Sequence, residues 1–239
     1  MTVRTPRPHV ARVLEQTRAA LFVFDDAICG LSHRMDPAPI AREIHDRLFA
    51  SGHRMPFLVT LNLDPIAMMW YAQDVNRDIG AEAVRLVRDA EVAVARTAVP
   101  VPEVREALHA CHASGRRIAV VGDTSSDAME TYLDLHGLRQ FVGAVVGREW
   151  LIPLPADDWT GEALLKKTVQ ELDAKLAHCA LITLSPQSKH VARLAGIRSL
   201  GVVNKRGPRK HLADPPDAVA VSSMADLASG FATVPVLGT

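Results

Sequence analysis

Leu21-Phe22-Val23-Phe24-Asp25-Asp26 is a run of four apolar residues that ends on two carboxylates. A short continuous apolar run cut off by acids reads as a strand buried on both faces, with its carboxyl end at a polar surface. Working outward, five further runs share its length and its bias toward branched residues: 118–121, 142–146, 180–184, 200–203 and 218–221. Between them the apolar period turns helical over 102–114, 125–137, 161–178, 188–195 and 223–230. Stop signals follow at Ser114-Gly115 and His136-Gly137, where glycine supplies a left-handed cap. Thr124-Ser125-Ser126-Asp127 reads as a capping box opening the helix after the second strand. Strand–helix alternation of this kind predicts an α/β protein with a doubly wound parallel sheet, a Rossmann-like core.

Residues 31–99 break the alternation. Helical patterns cover 40–49, 65–79 and 81–97, and only 57–61 reads as a strand. Proline-containing stretches bracket the segment, Asp36-Pro37-Ala38-Pro39 and Pro100-Val101-Pro102. The expected organisation is a core of 1–30 and 100–239 with a helical cap domain, 31–99, inserted after the first strand. Such an insert falls at the carboxyl end of the sheet, where α/β proteins bind ligands.

Composition narrows the function classes. The 239 residues carry 27 Lys and Arg against 27 Asp and Glu, so no global field favours nucleic acid or an anionic membrane as partner. With 48% hydrophobic and 23% charged residues the chain is expected to be globular. Cys29, Cys111 and Cys179 stand far apart with no CxxC pair, which fits a reducing cytoplasm and excludes a disulfide scaffold or a cysteine zinc site. The amino terminus lacks the apolar stretch of a signal peptide. The longest apolar run, 66–72, is far short of the roughly 20 residues that cross a bilayer. A cytoplasmic location is expected.

The stretch from Leu21 to Cys29 is joined by Arg96-Thr97-Ala98-Val99-Pro100, Ser114 to Val121 (SGRRIAVV), Tyr132 to Leu138 (YLDLHGL) and Val145-Val146-Gly147-Arg148. Ala195-Gly196-Ile197 and Asn204-Lys205 follow in the same order. Together they resemble the haloacid dehalogenase (HAD) superfamily with a first-type helical cap, and look closest to bacterial, actinobacterial HAD-like hydrolases. The resemblance spans about 19 to 228. It implies an Asp nucleophile, a second Asp two residues on as acid/base, a Ser/Thr and a Lys holding phosphate, and carboxylates holding Mg²⁺.

Set against that pattern the motifs are degenerate. Val23 stands at the nucleophile position, Asp25 at the acid/base position, and Asp26 replaces a glycine. Gly122, followed by Asp123, takes the place of the phosphate-binding Ser/Thr, and Ile152 that of the lysine before Pro153-Leu154-Pro155. Leu184 and Ser188 stand where the fourth motif has its carboxylates. The resemblance thus implies a pseudoenzyme without Mg²⁺-dependent phosphohydrolase activity. Mg²⁺ is the family's cofactor, but its ligands are missing here, so no cofactor or metal is expected. The expected partner is a small molecule or a protein in the cap–core cleft, with a homodimer left open and neither nucleic acid nor membrane involved.

Two enzymatic alternatives stay open. In one, Asp25 and Asp123 end adjacent strands and share a proton as a metal-free acid/base pair in the cap–core cleft; otherwise they are leftover carboxylates held by loop amides. In the other, Asp25 is the nucleophile in a shifted register, with Ala27 two residues on, Thr124 or Ser125 binding phosphate and Lys166 or Lys167 supplying the cation. Asp26 is expected to be a solvated turn residue rather than a ligand. Thr124 and Ser125, like Ser185 and Lys189, lie where a strand feeds a helix; amides there hold an anion or the hydroxyls cap the helix. His33-Arg34 and His53-Arg54 are candidates to read an acidic group, Met68-Met69-Trp70-Tyr71 lines the cleft or fills the cap, and Cys29 is expected to pack.

Overall fold

A computed structural model describes residues 6–31, 34–152, 161–202 and 218–236. Its chain forms two compact units, one of Met1–Gly30 with Val99–Thr239 and one of Leu31–Ala98.

Among the described residues the first unit is built on six parallel strands: β1 (Ala19–Val23), β2 (Arg117–Val121), β3 (Ala144–Val146), β4 (Cys179–Thr183), β5 (Arg198–Val202) and β6 (Ala218–Val221). Their order is β3-β2-β1-β4-β5-β6. The sheet is therefore the doubly wound α/β core that the apolar runs predict. Strand β1 is central: Leu21 pairs with Ala119 on one side and Leu181 on the other. Ala19 to Phe22 are wholly buried, which is why this strand carries no polar residue before its end. The connections leave β1 and β4 in opposite directions along the sheet, so the topological switch point lies between these two strands.

Helices pack on this sheet in two groups. One comprises α1 (Pro8–Gln16), α6 (Val104–Ala113) and α10 (Met224–Thr233), which touch β2 and β6. In the other, α8 (Gly161–Glu171) and α9 (Pro186–Leu194) touch β2 to β5, while α7 (Ser126–Leu135) packs on β3. The sequence patterns give no sign of α1. Pro8 starts it with a preset φ, and Val10, Val13 and Leu14 make its buried face. Arg116 ties this helix to the core, and only 3% of the residue is exposed. Its Nε donates to Thr17 O at 3.1 Å, Nη2 to Leu14 O at 2.7 Å and Nη1 to Ser114 Oγ at 2.7 Å. Its guanidinium also sits 5.3 Å above the Phe231 ring.

The second unit is all helical: α2 (Pro37–Ala50), α3 (Phe57–Thr60), α4 (Pro65–Val75) and α5 (Arg77–Ala95). The strand expected at 57–61 is instead α3. Pro56 fixes φ at −55° just before it, and the Val59 and Thr60 amides close back on Pro56 O, which nucleates a helical turn. The break between the helices expected over 65–79 and 81–97 falls earlier, at Asn76. Asn76 is extended and its side chain accepts from the Asp78 and Ile79 amides, so it ends α4 and caps α5. Met68 and Met69 are wholly buried with Ile44, Leu48, Ala83 and Val87 in the core of this unit, and Trp70 and Tyr71 pack half-buried against it. His53 joins the same packing through a 2.8 Å contact of Nε2 with Tyr71 Oη, whereas Arg54 is exposed.

Candidate functional site

The site begins where β1 ends. Phe24–Ile28 forms a single π-helical turn, closed by Cys29 N donating to Phe24 O at 2.9 Å. Such turns recur at functional sites because they re-aim consecutive side chains. Phe24, Ala27, Ile28 and Cys29 are buried, and the Phe24 ring meets Tyr132 edge-on at 5.4 Å. Cys29 thus packs, as expected, and pairs with Pro100 where the chain leaves and re-enters the sheet unit.

The turn sends Asp26 across the switch point to β4. Thr183 Oγ1 donates to Asp26 Oδ2 at 2.5 Å, and the Ser185 amide donates to the same oxygen at 3.0 Å. Oδ1 is buried and makes no hydrogen bond among the described residues. Burial pushes this carboxyl up from 3.8 to about 6, against the Thr183 hydroxyl and the Leu184 and Ser185 amides, with a further push from the charge of Asp25. The expectation of a solvated turn residue is corrected here. A π-turn, rather than a simple open turn, rotates Asp26 inward over β4.

A second carboxylate holds the neighbouring junction. Ser125 caps α7, accepting from the Ala128 amide at 3.4 Å, so the cap falls one residue after the Thr124 expected from the sequence. Thr124 is buried, and its carbonyl accepts from the Arg148 amide at 3.3 Å. The Glu149 carboxylate then accepts from the Ser126 amide at 3.0 and 3.2 Å and from Ser126 Oγ at 3.0 Å. Beside it Arg148, 1% exposed, donates from Nη1 to Asp123 O at 2.7 Å and holds the loop after β2. This close packing depends on Gly147. A Cβ there would lie 2.5 Å from Thr124 O and 2.6 Å from both Ser126 N and Glu149 Oε2. Gly147→Ala is expected to cost about 1–3 kcal/mol of stability by overpacking, measured by urea unfolding; an unchanged midpoint would show that the junction yields freely.

The remaining candidates occupy different places. Asp25 is half-buried in the π-turn and Asp123 is exposed after β2; the carboxyl raised by burial is Asp26, outside the expected pair. Ser185 caps α9, accepting from the Ser188 amide at 3.4 Å. Lys189 is 3% exposed, and burial lowers its pKa. Ile152 is half-buried in the turn that follows the 3-10 turn Arg148–Trp150. Lys166 and Lys167 pair with Glu162 and Glu171 on α8 itself. His33, Pro153 to Pro155 and Asn204-Lys205 lie outside the described residues.

Beside these junctions lies a cavity of about 260 Å³ at the carboxyl edge of the sheet. Val23, Val121 and Leu181 line it from one face of the sheet, as the pairings Val23↔Val121 and Leu21↔Leu181 require. Gly122, Asp123 and Ser188 line it as well, so three positions that the resemblance singles out, Val23, Gly122 and Ser188, meet at one cavity. Among the described residues no three His, Cys, Asp or Glu side chains converge as a metal site. Leu184 and Ser188 offer no carboxylate, and Asp26 is committed to Thr183 and Ser185. This donor set does not fit Mg²⁺, which wants several hard oxygens in octahedral array.

The strand order is that of a doubly wound α/β fold with a cavity at its carboxyl edge, and the solved folds it resembles are HAD-like. Solved structures bear this out. A haloacid dehalogenase-like family hydrolase from Streptococcus pneumoniae superposes with a TM-score of 0.57 at 14% identity, covering 90% of this chain and 99% of that one. A predicted phosphatase from Clostridium acetobutylicum gives 0.58 at 16% identity over 89% and 96% of the two chains. A HAD family hydrolase from Deinococcus radiodurans, solved with bound phosphate and sodium, gives 0.55 at 17% identity over 94% and 100%. No protein-family profile matches the sequence, and no curated protein matches it significantly. Among the described residues no helix is long and apolar enough to cross a membrane.

Proposed function

We propose that this chain is a HAD-superfamily pseudoenzyme, with 31–99 as its cap domain, that binds a ligand and does not turn over phosphoesters. One observation carries the reading. At both strand–helix junctions where the sequence left anion binding open beside helix capping, backbone amides are already taken by the chain's own carboxylates, Ser185 N by Asp26 and Ser126 N by Glu149. A phosphoryl group entering there would meet negative charge instead of open donors. Val23 supports the same reading, because a hydrocarbon side chain faces the cavity at the position of the family's nucleophile.

The test is turnover of a broad phosphoester panel with Mg²⁺ by the native chain and by Asp25→Asn. Neither protein is expected to release phosphate above a buffer control. Metal-requiring turnover that disappears in Asp25→Asn would overturn the reading and make Asp25 the nucleophile.

A further inference from the structure

The cavity at the carboxyl edge has a chemical character of its own. Its walls are hydrocarbon: Val23, Val121, Leu164, Leu165, Leu181 and Val191. Gly122 and Gly161 contribute no side chain to the lining. Its polar groups are Asp123, which is exposed, with Gln187 and Ser188 on α9. No Lys, Arg or His lines it among the described residues. An apolar wall with an acid and no cation disfavours a phosphate or carboxylate, since desolvating the anion would go uncompensated. A neutral molecule with an apolar body meets no such penalty, and Gln187 and Ser188 can both donate and accept one hydrogen bond. At about 260 Å³ the space exceeds the roughly 150 Å³ of a dry apolar cavity that accepts benzene. It falls short of the ~300–1,000 Å³ typical of drug-sized ligands.

We infer that this cavity is a binding site for a small neutral molecule, an aromatic or aliphatic body bearing one hydrogen-bonding head group, and that it does not accept phosphate. The inference rests on the non-catalytic reading above and deepens it by naming the ligand class. The apolar body lies against Val23, Val121 and Leu181, and the head group faces Gln187 and Ser188 at the start of α9. The side chain at 23 is then a wall of the ligand site.

Benzyl alcohol and indole serve as probes, with sodium phosphate plus MgCl₂ as the contrasting one, each titrated into the full chain and followed by amide chemical shifts. The neutral probes are expected to bind saturably with Kd of about 1 mM or tighter, shifting amides at 121–123 and 187–191, while phosphate shifts nothing there. Ser188→Trp, at a half-buried position, fills the site and is expected to weaken the probes at least tenfold while the circular dichroism stays native. Val191→Phe is the second variant, should Ser188→Trp not fold. Saturation by phosphate, absence of binding by both neutral probes, or binding unchanged in a folded blocking variant would each overturn the inference. The phosphoester panel judges the other reading separately. Turnover there with neutral-probe binding intact sinks the pseudoenzyme and keeps the ligand class; silence there with no probe binding does the reverse.

Discussion

Replacing Arg116 with alanine is expected to lower the unfolding free energy by about 3–5 kcal/mol, read as a shift of the urea midpoint without a change in slope. The guanidinium is buried with three hydrogen bonds, to Thr17 O, Leu14 O and Ser114 Oγ. Its removal strips Thr17 O of this donor inside the protein and opens a void beneath Phe231. Burial lowers the pKa of this arginine, so holding the charge already costs something that the three acceptors offset. Arg116→Lys should recover only part of the loss, because an ammonium cannot span three acceptors lying in different directions. A loss under about 1 kcal/mol in the alanine variant would place Arg116 among ordinary surface cations.

The second large effect is a pH dependence at Asp26. Its folded pKa is raised, from 3.8 to about 6, so the folded state binds the extra proton between these values. Stability from this group is therefore fully present below 3.8 and is lost as pH rises through about 6. Two pK units correspond to about 3 kcal/mol. Native protein should thus lose stability between pH 3.8 and about 6 relative to Asp26→Asn, which keeps the shape and removes the charge. Above pH 7 the asparagine variant should be the more stable of the two. Urea unfolding of both proteins across this range measures the difference, and parallel curves would show that Asp26 does not titrate as its burial dictates.

The sheet was legible in the sequence because a strand covered on both faces writes a continuous apolar run, and six such runs stand in order with helical patterns between them. Their ends shifted by a residue or two, as element ends do. The short run 57–61 lacks a period of its own, and Pro56 decides its conformation. At the site, the cap at Ser185 was legible, and that of α7 to within one residue, because a hydroxyl before a helix is a local signal. Asp26 was not. Its partner Thr183 lies 157 residues away, and nothing near Asp26 reports that the two strands are neighbours. Arg148 left no distinct trace, because a charged residue directly after a strand end is ordinary and its acceptor, Asp123 O, lies in another loop. Glu149 left none, since its role depends on the Ser126 amide across the junction.

On the proposed reading, the Asp26–Thr183 clip and the valine at 23 also decide what single substitutions toward the HAD motifs would do. Val23→Asp alone would set a carboxylate in a hydrocarbon pocket with Asp25, Asp26 and Asp123 nearby and no cation lining it among the described residues. Freeing the Ser185 amide would require removing Asp26, and freeing the Ser126 amide would require removing Glu149. Each reversal taken alone brings a cost without a gain in rate, because nucleophile, cradle and metal act only as a set. On the proposed reading, single substitutions at this pocket therefore alter what it binds and do not by themselves install phosphoryl transfer.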